Sequence, residues 1–553
     1  MGEKIKPEKS RSGQSFISGV LVLTAANLIS KVIGLIFKIP LTNMLGNEGM
    51  GYFNTAYQIY TWLYMISTAG LPVALSLMIS EYNAQGKGTL SKRIFRLTLT
   101  VFAVLGLIGS VLMFFLCKGL AAFISADLSY LCILSIAPAF FFICVTSTVR
   151  GYFQGNRNMV PTAVSEILES LGKLGIGIAL GSYALSKGYP IHKVAAYSIF
   201  GVTVGVIAGA VFLVFSAVFS KMLGRKTSAF EETFEEHVSN GRLFGTFLKI
   251  AVPIMISSSL LSMSSMMDTL IVIRRLQDFG LAENAAVALY GNYTAYCVTL
   301  FNLPSVLIYP IVNALIPSLS AARASGSEDR TRLIMLKSLK LASVIALPCT
   351  FGLAAMSKPI LTLIFSSAEN AEMAAPLLSA LAPSVFLIGV LAVTNGVLQA
   401  CKLQKYSLIS MLMGALIKGV SAYFLVGLPI GDGTLGMYAS PISTFLFYLT
   451  ITVMNFYFIV RYAGIRVPVI SIFIRPFAAA VGCVAFAVAV YGIFGTLIGF
   501  SGIITLASIA VAALVYAVLL LIFGGITKED LRFIPKAEKL LEISLFKRVI
   551  REK

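Results

Sequence analysis

The chain has 553 residues, of which 58% are hydrophobic and only 12% charged, with a mean hydropathy of +0.89. Soluble domains carry about 25% charged residues, and a soluble chain of this length divides into domains with polar surfaces between them. Apolar runs longer than the roughly 20 residues that cross a bilayer recur from Ser15 to Gly524 instead, which excludes a soluble fold and points to an all-α polytopic membrane protein.

In chain order, a charged tail over 1–14 precedes an apolar segment at 15–44. That segment is too long for the core of a signal peptide and is read as a retained first helix. Further spans are predicted at 52–80, 97–124, 128–149, 159–186, 191–220, 246–273, 284–318, 333–356, 374–400, 406–429, 434–460, 472–498 and 501–524. Fourteen transmembrane helices put both termini on one side of the membrane. On that side fall thirty-three of the 43 Lys and Arg residues; six fall opposite and four inside helices. The positive-inside rule therefore places both termini in the cytoplasm and explains the net charge of +19 without nucleic acid. The tail over 525–553 alternates basic and apolar residues at helical spacing, as for a segment lying on an anionic leaflet.

The chain also repeats itself. A shift of 245 residues aligns IAPAFFFICVTSTVRGYFQGNRN with LAPSVFLIGVLAVTNGVLQACKL without a gap, matching Ala137 to Ala382, Pro138 to Pro383, Gly151 to Gly396, Gln154 to Gln399 and Ser165 to Ser410. Two pseudo-symmetric six-helix lobes follow, 15–223 and 246–463, joined by a cytoplasmic loop at 224–245. Two C-terminal helices over 464–524 are appended. An even number of helices separates the copies, so they are parallel repeats.

The same register places Lys173 on Lys418, each near the middle of a predicted span. A lysine at the bilayer centre costs about 2.5–3.5 kcal/mol on insertion scales and usually faces a bundle interior or a wet cavity. Lys31 is also deep, and Lys38 lies nearer the outer interface. Glu169 and Glu166 stand four and seven residues before Lys173, where Glu169 can form an i,i+4 pair. Their repeat equivalents are Gly414 and Met411 respectively, so the partner of Lys418 is either an acid across the bundle or a ligand. Asp268 is the remaining intramembrane acid. With four interior bases against three acids, a cavity that prefers an anion is the favoured reading.

Prolines at 40, 72, 138, 253, 304, 310, 317 and 383 lie within or near helix ends, as static kinks or as hinges. Seven isolated cysteines suggest packing rather than a metal site or a disulfide framework. No GxxxxGK[ST] loop and no HExxH motif occurs, and the loops lack a carboxylate pair of the kind glycosyl transfer needs. The acidic run EETFEEH at 231–237 reads as a solvated surface.

SKVIGLIFKIPLTNMLGNEG, GLPVALSLMISEYNAQGK and, most specifically, VRGYFQGNRNMVPTAVSEILE resemble the polysaccharide and lipid II flippase branch of the multidrug/oligosaccharidyl-lipid/polysaccharide (MOP) exporter superfamily. The resemblance covers nearly the whole chain to about residue 460. It implies a V-shaped alternating-access transporter of the bacterial plasma membrane, not an enzyme, that moves an undecaprenyl-diphosphate-linked sugar outward. It further implies basic residues gripping the diphosphate. Lys31 matches the helix 1 motif S-[RK]-x-x-G, and Arg150 opens RGYFQG. The lipid II flippases best known from Gram-negative bacteria also have cavity arginines on helices 1 and 8. Here the helix 1 position is Phe37 or Lys38 and helix 8 has no charge. The expected headgroup set is Lys31, Lys38, Arg150, Lys173 and Lys418, with Glu166, Glu169 and Asp268 as cavity acids. No cofactor or metal is expected, and the drive is the membrane potential or an ion gradient. Expected partners are a lipid-linked glycan and membrane lipids, with a monomer sufficient. The rival readings are a multidrug or cation antiporter using those acids, a membrane glycosyltransferase, and a structural partner in a cell-wall complex.

Overall fold

The computed structural model describes residues 16–219, 238–365, 367–430, 433–465, 469–499 and 501–524. Both predicted tails, the run at 231–237 and most of the 224–245 loop lie outside the described residues. The described chain is helical: α1 Phe16–Ala84, α2 Gly88–Ile124, α3 Tyr130–Gly155, α4 Val160–Ser186, α5 Ile191–Phe219, α6 Asn240–Asp278, α7 Glu283–Asn292, α8 Val298–Phe301, α9 Leu303–Ala324, α10 Glu328–Ala355, α11 Ser357–Ile364, α12 Ala368–Leu381, α13 Pro383–Ala400, α14 Gln404–Leu425, α15 Ala439–Phe458, α16 Val469–Ile498 and α17 Gly502–Ile522. Among the described residues the strand pairing is confined to Pro429–Ile430 against Gly433–Thr434. Among the described residues eleven helical stretches are long and apolar enough to cross a membrane. Their outward side chains include Phe115 at 76% and Ile503 at 79% exposed, a surface that only lipid would cover.

Four predicted spans are joined or divided differently. Those at 15–44 and 52–80 run together as α1, with no loop between them; the break is Gly46, whose φ of 60° and ψ of −168° only glycine adopts cheaply. The span at 284–318 is interrupted by a π-helical turn at Tyr293–Cys297, where hydrogen bonds skip an extra residue. The span at 374–400 divides at Pro383, which lacks the N–H needed to continue α12 and instead opens α13.

Two compact units divide the chain. One holds the residues through Leu41 and Thr55–Ser262; the other holds Thr42–Asn54 and the residues from Met263 onward. The first has a core of Leu75, Ile79, Phe95, Phe153 and Phe247, contributed by α1, α2, α3 and α6. The second packs Ile308, Leu339, Val393 and Ile459 from α9, α10, α13 and the turn after α15. Inside the second unit α1 meets α7 almost backbone to backbone. A Cβ on Gly291 would fall on the carbonyl of Asn47 and 2.9 Å from Gly51 Cα. Asn47 Nδ2 donates to Asn370 Oδ1 at 2.7 Å beside this crossing.

One pair of positions related by the 245-residue shift has the same backbone geometry. Arg157 and Lys402 are two of only three non-glycine residues with positive φ among the described residues, at 58° and 59°. In both copies the same pattern closes the helix. The Arg157 and Lys402 amides donate to Gln154 and Gln399, and the Asn158 and Leu403 amides donate to Phe153 and Leu398. These are the paired bonds of a helix C-terminus ending in a left-handed residue.

The helix pair that positions the candidate site is α4 against α5. Glycines recur every fourth residue in the α5 sequence GVTVGVIAG, at 201, 205 and 209. A Cβ on Gly172 would stand 2.6 Å from Gly205 Cα, and one on Gly205 would stand 2.5 Å from the Glu169 carbonyl. Lipid gives helices no hydrophobic reason to associate, so close backbone packing of this kind carries the contact. We predict that Gly205→Val forces α5 away and destabilises the protein by about 1–3 kcal/mol. Gly175→Ala, where nothing lies within 4 Å, should leave the detergent unfolding midpoint unchanged. Equal midpoints for the two variants would refute this account of the α4–α5 contact.

Candidate functional site

Lys173 is the middle residue of α4, thirteen residues from either end and so roughly 20 Å from each. The glycine face of α4 turns to α5, which leaves Lys173 directed at α1. There its Nζ lies 5.7 Å from the centroid of Phe37 and 5.9 Å from that of Tyr57, and close to Gly34. Ring faces attract an ammonium, by about 0.5–2 kcal/mol, without neutralising it. Lys38, half-buried, is within electrostatic reach of Lys173. Lys31 is exposed one turn before Gly34.

The i,i+4 pair of Glu169 with Lys173 does not form, because Glu169 is engaged elsewhere. Its Oε2 meets Arg150 NH2 at 3.2 Å, and its Oε1 accepts from Tyr60 OH at 3.0 Å. Arg150 also donates from Nε to Ser165 Oγ at 3.0 Å and from NH1 to Tyr64 OH at 3.3 Å. Although sequence position placed Arg150 with a cytoplasmic loop, α3 continues to Gly155 and keeps it inside, 3% exposed. A guanidinium so buried needs these donor contacts. Tyr57, Tyr60 and Tyr64 stack along α1 at 5.6 and 5.7 Å, joining the Lys173 surroundings to the Arg150 pair. Glu166 has a buried Oε2 with no hydrogen-bond partner among the described residues. Its backbone carbonyl accepts from Ser30 Oγ at 3.2 Å, which brings the neighbour of Lys31 against α4.

In the second unit Lys418, on α14, is 1% exposed. Its partner is the acid across the bundle. Nζ donates to Asp268 Oδ2 at 2.9 Å, Ser264 Oγ at 2.8 Å and Thr444 Oγ1 at 2.8 Å. An ammonium has three donors, and all three are used. Ser264 and Asp268 are one turn apart on α6, and Thr444 lies on α15. The helical spacing of Ser264 and Asp268 was visible in the sequence, but the Thr444 contact needed the fold. Sequence reading likewise missed Tyr57, Tyr60 and Tyr64, whose signal is an aromatic i, i+3, i+7 stripe. Among the described residues no group of three metal-ligating side chains occurs.

A family model described as polysaccharide biosynthesis protein matches residues 16–323, over half of the chain. The chain belongs to the polysaccharide biosynthesis protein family. A second model, MatE, matches residues 253–424. Stage V sporulation protein B of Bacillus subtilis (strain 168) is 26% identical over 533 residues, covering 96% of this chain and 99% of that protein. Lipid II flippase MurJ of the same organism is 24% identical over 461 residues, covering 81% and 83%. Among solved structures, lipid II flippase MurJ in an inward closed conformation aligns with a TM-score of 0.68 and 14% identity, over 91% of this chain and 98% of that one. An inward-facing MATE transporter of the MOP superfamily aligns at 0.62 with 16% identity, over 80% and 97%. This family member is therefore a multi-pass membrane transporter with a MurJ- and MATE-like helical fold, and not an enzyme.

Breaking one side of a buried ion pair costs about 3–5 kcal/mol, whereas replacing both sides with apolar residues is often neutral. Lys418→Met and Asp268→Leu should each lower the unfolding midpoint strongly, and the double variant should recover most of the loss. Additive losses in the double variant would show that the pair does not hold the unit together.

Proposed function

We propose that the protein moves an undecaprenyl-diphosphate-linked cell-envelope sugar from the inner to the outer leaflet by alternating access, with Lys173 as the principal contact to the diphosphate. The observation that carries this reading is an ammonium at the midpoint of the 27-residue α4 whose neighbours are aromatic rings. The one carboxylate at pairing distance in sequence is taken by Arg150 and Tyr60. A diphosphate oxygen supplies the counter-charge that the protein withholds. Lys31 and Lys38 extend the positive surface along α1. Arg150 holds Glu169 away from Lys173, and Lys418, its donors satisfied, serves its own unit. The names of the two B. subtilis relatives, one a lipid II flippase and one a sporulation protein, favour this cargo class.

The reading includes fourteen crossings. Val22–Ala84, with 63 residues, is long enough for two, while α4 and the interrupted α7–α9 stretch supply two beyond the eleven. With both termini cytoplasmic, outward movement of an anionic headgroup is favoured by about 2.3 kcal/mol per charge per 100 mV of inside-negative potential. A cation antiporter is the second reading, and the unpartnered Glu166 oxygen favours it.

The test is binding of lipid II to the purified full-length protein, against undecaprenyl phosphate and a lipophilic cation. Lys173→Gln should weaken lipid II binding about tenfold or more, the scale of one charge-assisted contact, and abolish its flipping in proteoliposomes. Unchanged binding in Lys173→Gln would sink the assignment of that residue. Preference for the cation, lost in Glu166→Gln, would establish the antiporter instead.

A further inference from the structure

Two clefts open where helices of the two repeats begin, and their charges differ. In the second unit a cleft of about 600 Å³ is lined by Arg323 and Arg332 but also by Glu328 and Asp329, so its charges balance. In the first unit a cleft of about 490 Å³ is lined by Thr89, Lys92, Arg93, Arg96, Leu97, Thr100 and Asn240, with three cations and, among the described residues, no acid. Basic residues near a membrane surface are expected from topology alone. Their convergence on one concave site whose described lining holds no acid, unlike that in the other unit, is not.

Two further features favour an anion there. The cleft lies at the start of α2, which begins at Gly88, and at the first residue of α6, Asn240. The partial positive charge at the N-terminus of α6 therefore adds to those of the side chains. Arg93 is held in place by a bond from Nε to Asn240 Oδ1 at 2.7 Å, which leaves both terminal nitrogens of its guanidinium for a ligand. Arg96 is exposed and makes no hydrogen bond or ion pair among the described residues. Beyond the cleft, the same two helices present outward apolar side chains, Val104, Leu105 and Ile108 on α2 and Val252 and Ile256 on α6. A ligand suited to this surface has an anionic head and an apolar body.

We propose that this cleft binds the phosphate headgroup of an anionic glycerophospholipid of the surrounding leaflet, whose acyl chains lie along α2 and α6. The headgroup bridges Arg93 and Arg96 on α2 to the N-terminus of α6. It stiffens that end of the first unit as an accessory lipid, separate from the transported cargo.

The experiment uses full-length protein in detergent. Bound lipid is counted by native mass spectrometry after addition of phosphatidylglycerol, phosphatidylcholine or inorganic phosphate, with the unfolding midpoint read in parallel. Wild type should retain phosphatidylglycerol in preference to phosphatidylcholine. Arg93→Gln/Arg96→Gln should bind it about tenfold or more weakly, since each surface cation contributes roughly a fivefold factor. Arg93→Lys/Arg96→Lys should keep binding, and Thr100→Trp, which fills the cleft without changing charge, should lose it. Lys173→Gln should leave phosphatidylglycerol binding intact, which separates this site from the cargo site. Equal retention of the two phospholipids by wild type would overturn the proposal, as would undiminished binding in both Arg93→Gln/Arg96→Gln and Thr100→Trp. Stabilisation by inorganic phosphate equal to that by phosphatidylglycerol would make the cleft a site for a free anion and not for a lipid.

Discussion

A fixed charge in the apolar slab must be met by another charge, by dipoles or by a ligand, and the cost of failing to meet it governs the interior of this molecule. Asp268 and Lys418 meet that demand with one carboxylate, two hydroxyls and three short bonds contributed by three helices. Arg150 meets it with Glu169, Ser165 and Tyr64. Each arrangement fixes the rotation of the helices that supply it, because turning any one of them strands a buried ion. These polar clusters thereby specify which faces of the apolar helices may pack together, a choice that Leu, Val and Phe make only weakly when the solvent is also apolar.

The two repeats solve the problem differently, and the difference isolates one lysine. At the 245-residue shift Arg150 corresponds to Asn395 and Glu169 to Gly414. Asn395 is satisfied by neutral partners, accepting from Ser407 and Asn455. Gly414 packs against Ile451 and Phe447. At that position the second unit thus has no arginine, and Asp268 pairs with Lys418. In the first unit the arginine takes the acid, and Lys173 is left to the faces of Phe37 and Tyr57. The repeat that carries the arginine leaves its lysine to aromatic rings, and the repeat that lacks it pairs its lysine with a carboxylate.

Much of this was legible in the residues, and what was not has a physical reason. The helical class, the repeat and the mid-depth lysines follow from composition, a fixed shift and counting along a helix. The equivalence of Arg157 and Lys402 in sequence even anticipates their shared left-handed backbone. Helix boundaries were less legible at Gly46 and at Tyr293–Cys297. A glycine kink or an extra residue in a turn leaves the apolar pattern unchanged, and lipid-facing runs carry no polar face to mark an end. The pairing of Glu169 was left open for a different reason. Local spacing offered Lys173 at i+4, whereas Arg150 and Tyr60 reach the carboxylate through the tertiary fold.

The glycine contact between α4 and α5 has a further consequence. With Gly172 against Gly205 and Gly201 against Gly177, the two backbones interlock too closely to slide past each other by less than a full helical turn. The height of Lys173 in the bilayer is thus geared to α5, a helix with no charge deeper than Lys193 near its end. A spectroscopic label on the lipid-facing side of α5 would act as a dipstick for that lysine, reporting its depth without touching the residue itself.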